Sequence, residues 1–404
     1  MSTTENLTNT AYNGVDKSLI SKVNLAFSEL FKMPAQHFVQ SPGRVNLIGE
    51  HTDYNEGFVL PCAINYHTLV AVSLRDDSQV HVVALDYNNQ KDIIELDKPL
   101  SFNSSPEMMW SNYIRGVLAE IIKSHPSIKG MNIVVSGNVP QGAGLSSSAS
   151  LEIAIAQTVN QLNALNLSEK ELAIIGQAAE NNFVGCNCGI MDQMVVAAGE
   201  LNHAMLLDCR SLAIEAIALP KNLNILIINS NKKRGLVDSE YNLRRQSCEQ
   251  VAKTLGVSSL RDINIDRLMH SKDKLDTISF KRALHVITEN QRTLDATIAL
   301  KTHDLATLSN LMQASHQSMK EDFEITVPEI DLIVSLCHEV IQDQGGVRMT
   351  GGGFGGCVVA LIPQELIKPV IETVEKNYQK ETGLIASFYL CQSASGAGLL
   401  DIRV

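Results

Sequence analysis

One stretch restricts the fold of this 404-residue chain more than any other. A short apolar run, Met131 to Ser136, leads into Pro140-Gln-Gly-Ala-Gly-Leu-Ser-Ser-Ser-Ala-Ser150, and an amphipathic run follows to about Leu165. In order these predict a strand, a small-residue loop and a helix with Leu151, Ile155, Val159 and Leu162 on one face. Gly142 and Gly144 allow backbone conformations barred to other residues. Free amides at the start of the helix, aided by its dipole, suit an anion. The hydroxyls of Ser146, Ser147 and Ser148 could add hydrogen bonds or a metal ligand. No lysine follows, so this is not the G-x-x-x-x-G-K-[ST] loop. A flexible turn with a serine N-cap fits the same residues.

A second stretch, Ser41 to Pro61, puts polar groups where packing alone would be expected. Val45, Leu47 and Ile48 supply a short strand. Arg44 precedes them, and Glu50, His51, Thr52, Asp53 and Tyr54 crowd in after Gly49. A strand ending in such groups delivers them to a site. One histidine with two acids on a turn is a weak metal set. Sugar hydroxyls are the better fit, because carboxylates accept from them and an imidazole donates or accepts.

Further strands are expected at 57–64, 67–74, 79–85, 204–208 and 223–229, with helices at 110–123, from Ser168 to about Val184, and over most of 238–340. Ser168-x-x-Glu171 is a capping box. Gly176 interrupts its helix and marks close packing. A glycine-rich hairpin at 345–362 leads to a last strand near 385–391. Strands and helices mix without a βαβ rhythm, which indicates an α+β fold. The length calls for two domains, divided as 1–215 and 216–404.

A net charge of −11 leaves no basic footprint for nucleic acid or an anionic membrane. No uncharged apolar run approaches the ~20 residues of a membrane span. The eight cysteines are scattered, and Cys186-x-Cys188 has no second pair at zinc spacing. With no signal peptide at the start, the expectation is a cytoplasmic protein with reduced thiols. A monomer, or at most a weak dimer, is the expected state.

Glu180 lies about 80° from Leu172 on a helical wheel, flanking the apolar stripe. Asp192, in Gly189-Ile-Met-Asp-Gln193, reads as a helix cap or as a proton acceptor, and Tyr241 alone reads as a packing residue. Gly351-Gly-Gly-Phe-Gly-Gly356 matches G-x-G-x-x-G formally, but Val358-Val-Ala-Leu-Ile after it is strand-like, so the dinucleotide reading fails. No V-A-I-K, H-R-D or D-F-G motif accompanies it, so the protein-kinase reading fails as well.

Together these segments resemble the galactokinases, within the GHMP family of small-molecule kinases. Ser41 to Pro61 is similar to the N-terminal signature, 140–150 to the P-x-G-A-G-L-S-S-S-A-S loop, 179–193 to the galactokinase helix, and 346–356 to G-x-x-x-T-G-G-G-F-G-G. The resemblance implies two α+β domains with the active site in the cleft between them. It also implies Mg²⁺-dependent transfer from ATP to the 1-hydroxyl of α-D-galactose, giving galactose 1-phosphate and ADP. By the same resemblance Gly142, Ala143, Gly144, Leu145, Ser146, Ser147 and Ser148 bind the ATP phosphates, and Ser148 and Glu180 hold Mg²⁺. Asp192 would be the catalytic base, and Arg44 would neutralise developing phosphate charge while keeping Asp192 ionised. Glu50, His51, Thr52, Asp53 and Tyr241 would bind galactose. Trp110 read alone is a core anchor, although the resemblance places its region near the nucleotide base, and the C-terminal glycines would close the site against the phosphate loop. Two alternatives are a silent galactose sensor and a sister kinase for N-acetylgalactosamine, mevalonate or homoserine. The intact transfer residues argue against the first. Gly49-Glu-His-Thr-Asp-Tyr54 argues against mevalonate and homoserine.

Overall fold

The computed structural model describes residues 11, 12, 14–233 and 237–402. Strand His37–Asn46 is buried along almost its whole length. Its alternate side chains serve different cores: Phe38 packs with helix Lys17–Phe31, whereas Val39 packs with helices Met109–Ser124 and Ser147–Leu162. Leu69 and Ala71 against Val70 and Val72 repeat this division on the neighbouring strand Pro61–Leu74. A sheet buried on both faces is therefore the frame of the N-terminal part. It has six strands in the order Gly398–Leu400, His37–Asn46, Pro61–Leu74, Met131–Gly137, Gln79–Ala84 and Gln90–Glu95. Only the pair formed by Met131–Gly137 and Gln79–Ala84 is parallel. That is an α+β arrangement rather than a doubly wound one.

The C-terminal part is a four-stranded antiparallel sheet, ordered Gly346–Thr350, Cys357–Pro363, Leu223–Asn229 and Ser387–Cys391. Leu226 and Ile228 face its helices, including Thr277–Thr302 and Pro328–Ile341. Ile225 and Ile227 face the other way, into a core shared with Val45, Leu47, Ile48 and Leu60. This shared core joins the two parts beneath the charged stretch at 50–54. Burying Leu47 and Ile48 there contributes about 2 kcal/mol each.

The strand–loop–helix reading of 131–165 holds, as do the capping box and the glycine-rich hairpin. Ser168 Oγ accepts from Glu171 N at 3.3 Å, and Glu171 Oε2 accepts from Ser168 N at 2.8 Å. A Cβ on Gly176 would stand 3.1 Å from Gln193 Cγ and 3.1 Å from Ile153 Cδ1, so close packing is what that glycine serves. Two expectations change. The helix to Val184 is α only over Glu169–Ala178 and continues as a π turn over Ala179–Val184. Helix Gln364–Thr382 fills the stretch between the hairpin and the last predicted strand; it buries Ile367, Val370, Val374 and Tyr378 despite the internal Pro369. The division at 215/216 falls inside strand Ile214–Ala218, which pairs with His203–Asp208. The strand Gly398–Leu400 then returns to the first sheet.

Candidate active site

Gly43 has no side chain, and the phosphate loop uses the space: a Cβ there would stand 2.9 Å from Leu145 O and 3.0 Å from Val139 Cγ1. The strand shifts register between Pro42 and Gly43, a bulge of the kind that re-aims the next side chain. Arg44 N donates to Leu145 O at 3.1 Å, and its Nη1 donates to Gly144 O at 2.5 Å. The rest of the guanidinium grips Asp192 with both prongs, Nε to Oδ1 at 2.7 Å and Nη2 to Oδ2 at 2.6 Å. Burial opposes the Arg44 charge, and the Asp192 carboxylate offsets it, so its pKa rises. Arg44 thus ties the sugar-motif strand to the loop and to helix Met191–Ala198, which carries Asp192 in its first turn.

In the loop, Gly142 and Gly144 take φ of 70° and 77°, as expected of glycine. Ser146 also takes a positive φ, 57°, which costs a non-glycine residue free energy. Its hydroxyl donates to Asp192 Oδ2, an engagement that the run of serines gave no reason to expect. Ser148 and the Glu180 carboxyl line the same cleft, and that carboxyl accepts from Gln193 Nε2 at 2.8 Å. Burial, then the Asp192 charge, pushes Glu180 up to about 7. Behind it, burial and the Glu180 charge push Glu152 well up. The π turn sets the direction of Glu180: Gly185 N and Cys186 N both donate to its carbonyl, and the side chain is buried rather than flanking.

Arg44, Glu50, His51, Asp53, Glu180, Asp192, Tyr241 and the loop line one cleft of about 520 Å³, joined by Gly351 and Gly352. The adjoining hollow beside Trp110 and Tyr87 shares Gly142, Ser147 and Ser148 with it. Trp110 is buried, with Nε1 donating to Gln90 Oε1 at 2.8 Å. Thr52 does not join the cleft, since its hydroxyl is used by Gly49 O at 2.9 Å and Phe58 O at 2.6 Å. Its part is to hold the turn. Glu50 faces the cleft, but its Oε1 already accepts from Arg348 Nη2 at 2.9 Å and Gly351 N at 2.7 Å, and its Oε2 from Asn46 at 3.0 Å. His51 is neutral, its pKa lowered to about 3 by burial. Its Nδ1 pairs with Tyr54 Oη at 2.8 Å, and its buried Nε2 has no hydrogen-bond partner among the described residues. Asp53 is pushed up to about 7 by burial and by the Asp192 charge. Tyr241 packs against His51 at a tilt of 40°, with ring centroids 5.1 Å apart.

Of the C-terminal glycines, Gly351 N donates to Glu50, and a Cβ on Gly352 would stand 3.6 Å from Tyr241. Sequence reading also missed Arg348 and Glu289. Both are fully buried; Glu289 accepts from Gly49 N at 3.0 Å and Glu50 N at 3.3 Å. A signal was present for Arg348, since a charge inside an apolar strand run must find a partner. Cys186 and Cys188 line the cleft too, and none of the eight cysteines is in a disulfide.

Fold and cleft together define a GHMP-type small-molecule kinase: residues 112–200 match the GHMP kinase N-terminal domain and 296–380 the GHMP kinase C-terminal domain. The galactokinase galactose-binding signature matches 25–74. A Lactococcus lactis galactokinase, solved in complex with galactose, is 34% identical, with 94% of this chain and 100% of that one covered and a TM-score of 0.89. The chain belongs to the galactokinase family. Methanococcus jannaschii mevalonate kinase (18% identity, 89% and 99% covered, TM-score 0.63) and Cytophaga hutchinsonii homoserine kinase (14%, 90% and 97%, 0.61) share the fold alone. Among the described residues no helix is long and apolar enough to cross a membrane.

Proposed function

We propose that this galactokinase transfers the γ-phosphoryl group of ATP to the anomeric 1-hydroxyl of α-D-galactose, with Asp192 as base and Arg44 as the cation beside the moving group. The observation that carries this reading is the two-pronged Arg44–Asp192 pair, which sits between the sugar motif and the phosphate loop. Asp192 accepts the hydroxyl proton as transfer proceeds, and Arg44 offsets charge on the phosphoryl oxygens. Asp53, His51 and Tyr241 hold the sugar. Glu50 contributes through whatever acceptor capacity its protein partners leave, and Thr52 acts by shaping the turn. The loop amides and Ser147 receive the phosphates.

Ser148 and Glu180 are the residues that would hold Mg²⁺. Two oxygen donors suit a hard cation that takes its other ligands from water and phosphate, and no group of three or more acidic, histidine or cysteine side chains among the described residues would hold an ion alone. When bound, Mg²⁺ offsets phosphate charge. The eight thiols support a cytoplasmic location.

A coupled assay of ADP release over galactose, glucose, N-acetylgalactosamine and mevalonate tests the activity, with galactose strongly preferred. Equal turnover on glucose would sink the specificity. Asp192→Asn should lower kcat by about 10²- to 10⁴-fold with the protein still folded; a wild-type rate would remove the proposed base.

A further inference from the structure

The Gln193 side chain is fully buried, and one atom of it touches two carboxyl groups. Its Nε2 donates to Glu180 Oε2 at 2.8 Å and to Glu152 Oε2 at 3.0 Å. Only the amide nitrogen can serve two acceptors, so the chemistry fixes which way the amide points. Gln193 follows Asp192 on one helix, and Glu152 lies on the helix that begins with Ser147 and Ser148. Three segments, carrying the proposed base, the loop serines and the proposed metal carboxylate, therefore meet at one amide. The missing side chain of Gly176 leaves room for the Gln193 stem. Glu180 Oε2 receives one further donor, the Cys188 thiol at 3.5 Å.

We propose that Gln193, braced from behind by Glu152, is a positioning residue that fixes the Glu180 carboxylate relative to Asp192 and thereby sets the affinity for the divalent cation. The proposal rests on the reading of Glu180 as a metal ligand. Carboxylates that bind metals are themselves oriented by hydrogen bonds, and losing such a partner typically costs 10- to 100-fold in metal affinity. Neither Gln193 nor Glu152 needs to touch ATP or sugar for this.

Mn²⁺ binding to the enzyme–ADP complex, followed by the EPR signal of free Mn²⁺, tests it together with thermal melting. Gln193→Met keeps volume and removes the amide, and should weaken Mn²⁺ by about 10-fold or more. The galactose KM should stay near that of the parent. Glu152→Leu should also weaken Mn²⁺, whereas Glu152→Gln, which keeps an acceptor for the amide, should stay within about 2-fold; this pair decides the matter if Gln193→Met does not fold. Glu180→Ala separates the two readings. If it weakens Mn²⁺ while Gln193→Met and Glu152→Leu leave it unchanged, the positioning role is wrong and the metal ligand stands. If Glu180→Ala leaves Mn²⁺ unchanged, both fall.

Discussion

The sugar motif and the phosphate loop face each other across one cleft but are held in opposite ways. The motif is clamped from outside its own lobe: Glu289 takes the amides of Gly49 and Glu50, and Arg348 donates to Leu47 O at 2.7 Å as well as to Glu50. His285 adds a bond to Glu50 O at 3.1 Å. The loop is anchored by Ala143 and Leu145, buried in the core shared with Val45, and by polar bonds through Arg44 and Ser146, while nothing lies within 4 Å of where a Gly142 Cβ would be. A pocket that must distinguish hydroxyls gains from rigid, fully paired groups, because a misplaced hydroxyl then leaves them unpaired. A loop that must admit and release a charged nucleotide gains from open space at its tip.

The contrast can be broken first at Arg348. Arg348→Met removes the partner of a buried carboxylate and should cost about 3 kcal/mol or more of stability, read as the shift in urea midpoint. A loss under about 1 kcal/mol would mean the clamp is not what orders the motif.

Asp53 sharpens the contrast through pH. Its carboxyl titrates near 7 in the folded protein and near 4 when unfolded. The native state therefore holds the extra proton between those values, and Asp53 costs the empty protein stability as pH rises from about 4 to 7. Asp53→Asn should raise the melting temperature more at pH 8 than at pH 5, by about 2 °C, while weakening galactose about tenfold or more. An equal gain at both pH values would exclude the raised carboxyl.

The smallest effect belongs to the loop. Gly142→Ala meets no atoms but must adopt a φ of 70°, at about 1 kcal/mol. The ATP KM should rise several-fold with the galactose KM unchanged. A change confined to galactose would mean that the two regions are not separable.

The parts of the site legible in the sequence were those carried by local rules. Glycines at positive φ, a strand feeding a helix and a capping box each follow from a few neighbouring residues, and all three are present. What stayed hidden depends on distance or on a change of helical pitch. Glu50 read as free for sugar, because nothing local reveals an arginine nearly 300 residues further on that claims one of its oxygens. Thr52 looked like part of the pocket, because its carbonyl partners appear only once the turn closes. Glu180 was phased on a 100° wheel, and the π turn resets that phase. Helix Gln364–Thr382 was not read at all, although its buried positions Ile367, Val370, Val374 and Tyr378 keep helical spacing around Pro369.

The strand Gly398–Leu400 has a consequence for how the protein is made. Gly398 pairs with Gln40, about 360 residues earlier, so that edge of the first sheet stays open until residue 398 has left the ribosome. Until then the exposed side of His37–Asn46 is a surface that other strands could join. Phe38 to Gln40, just before the sugar motif, are thus the last residues of that strand to be sealed, and folding yield should depend on what shields that edge during synthesis.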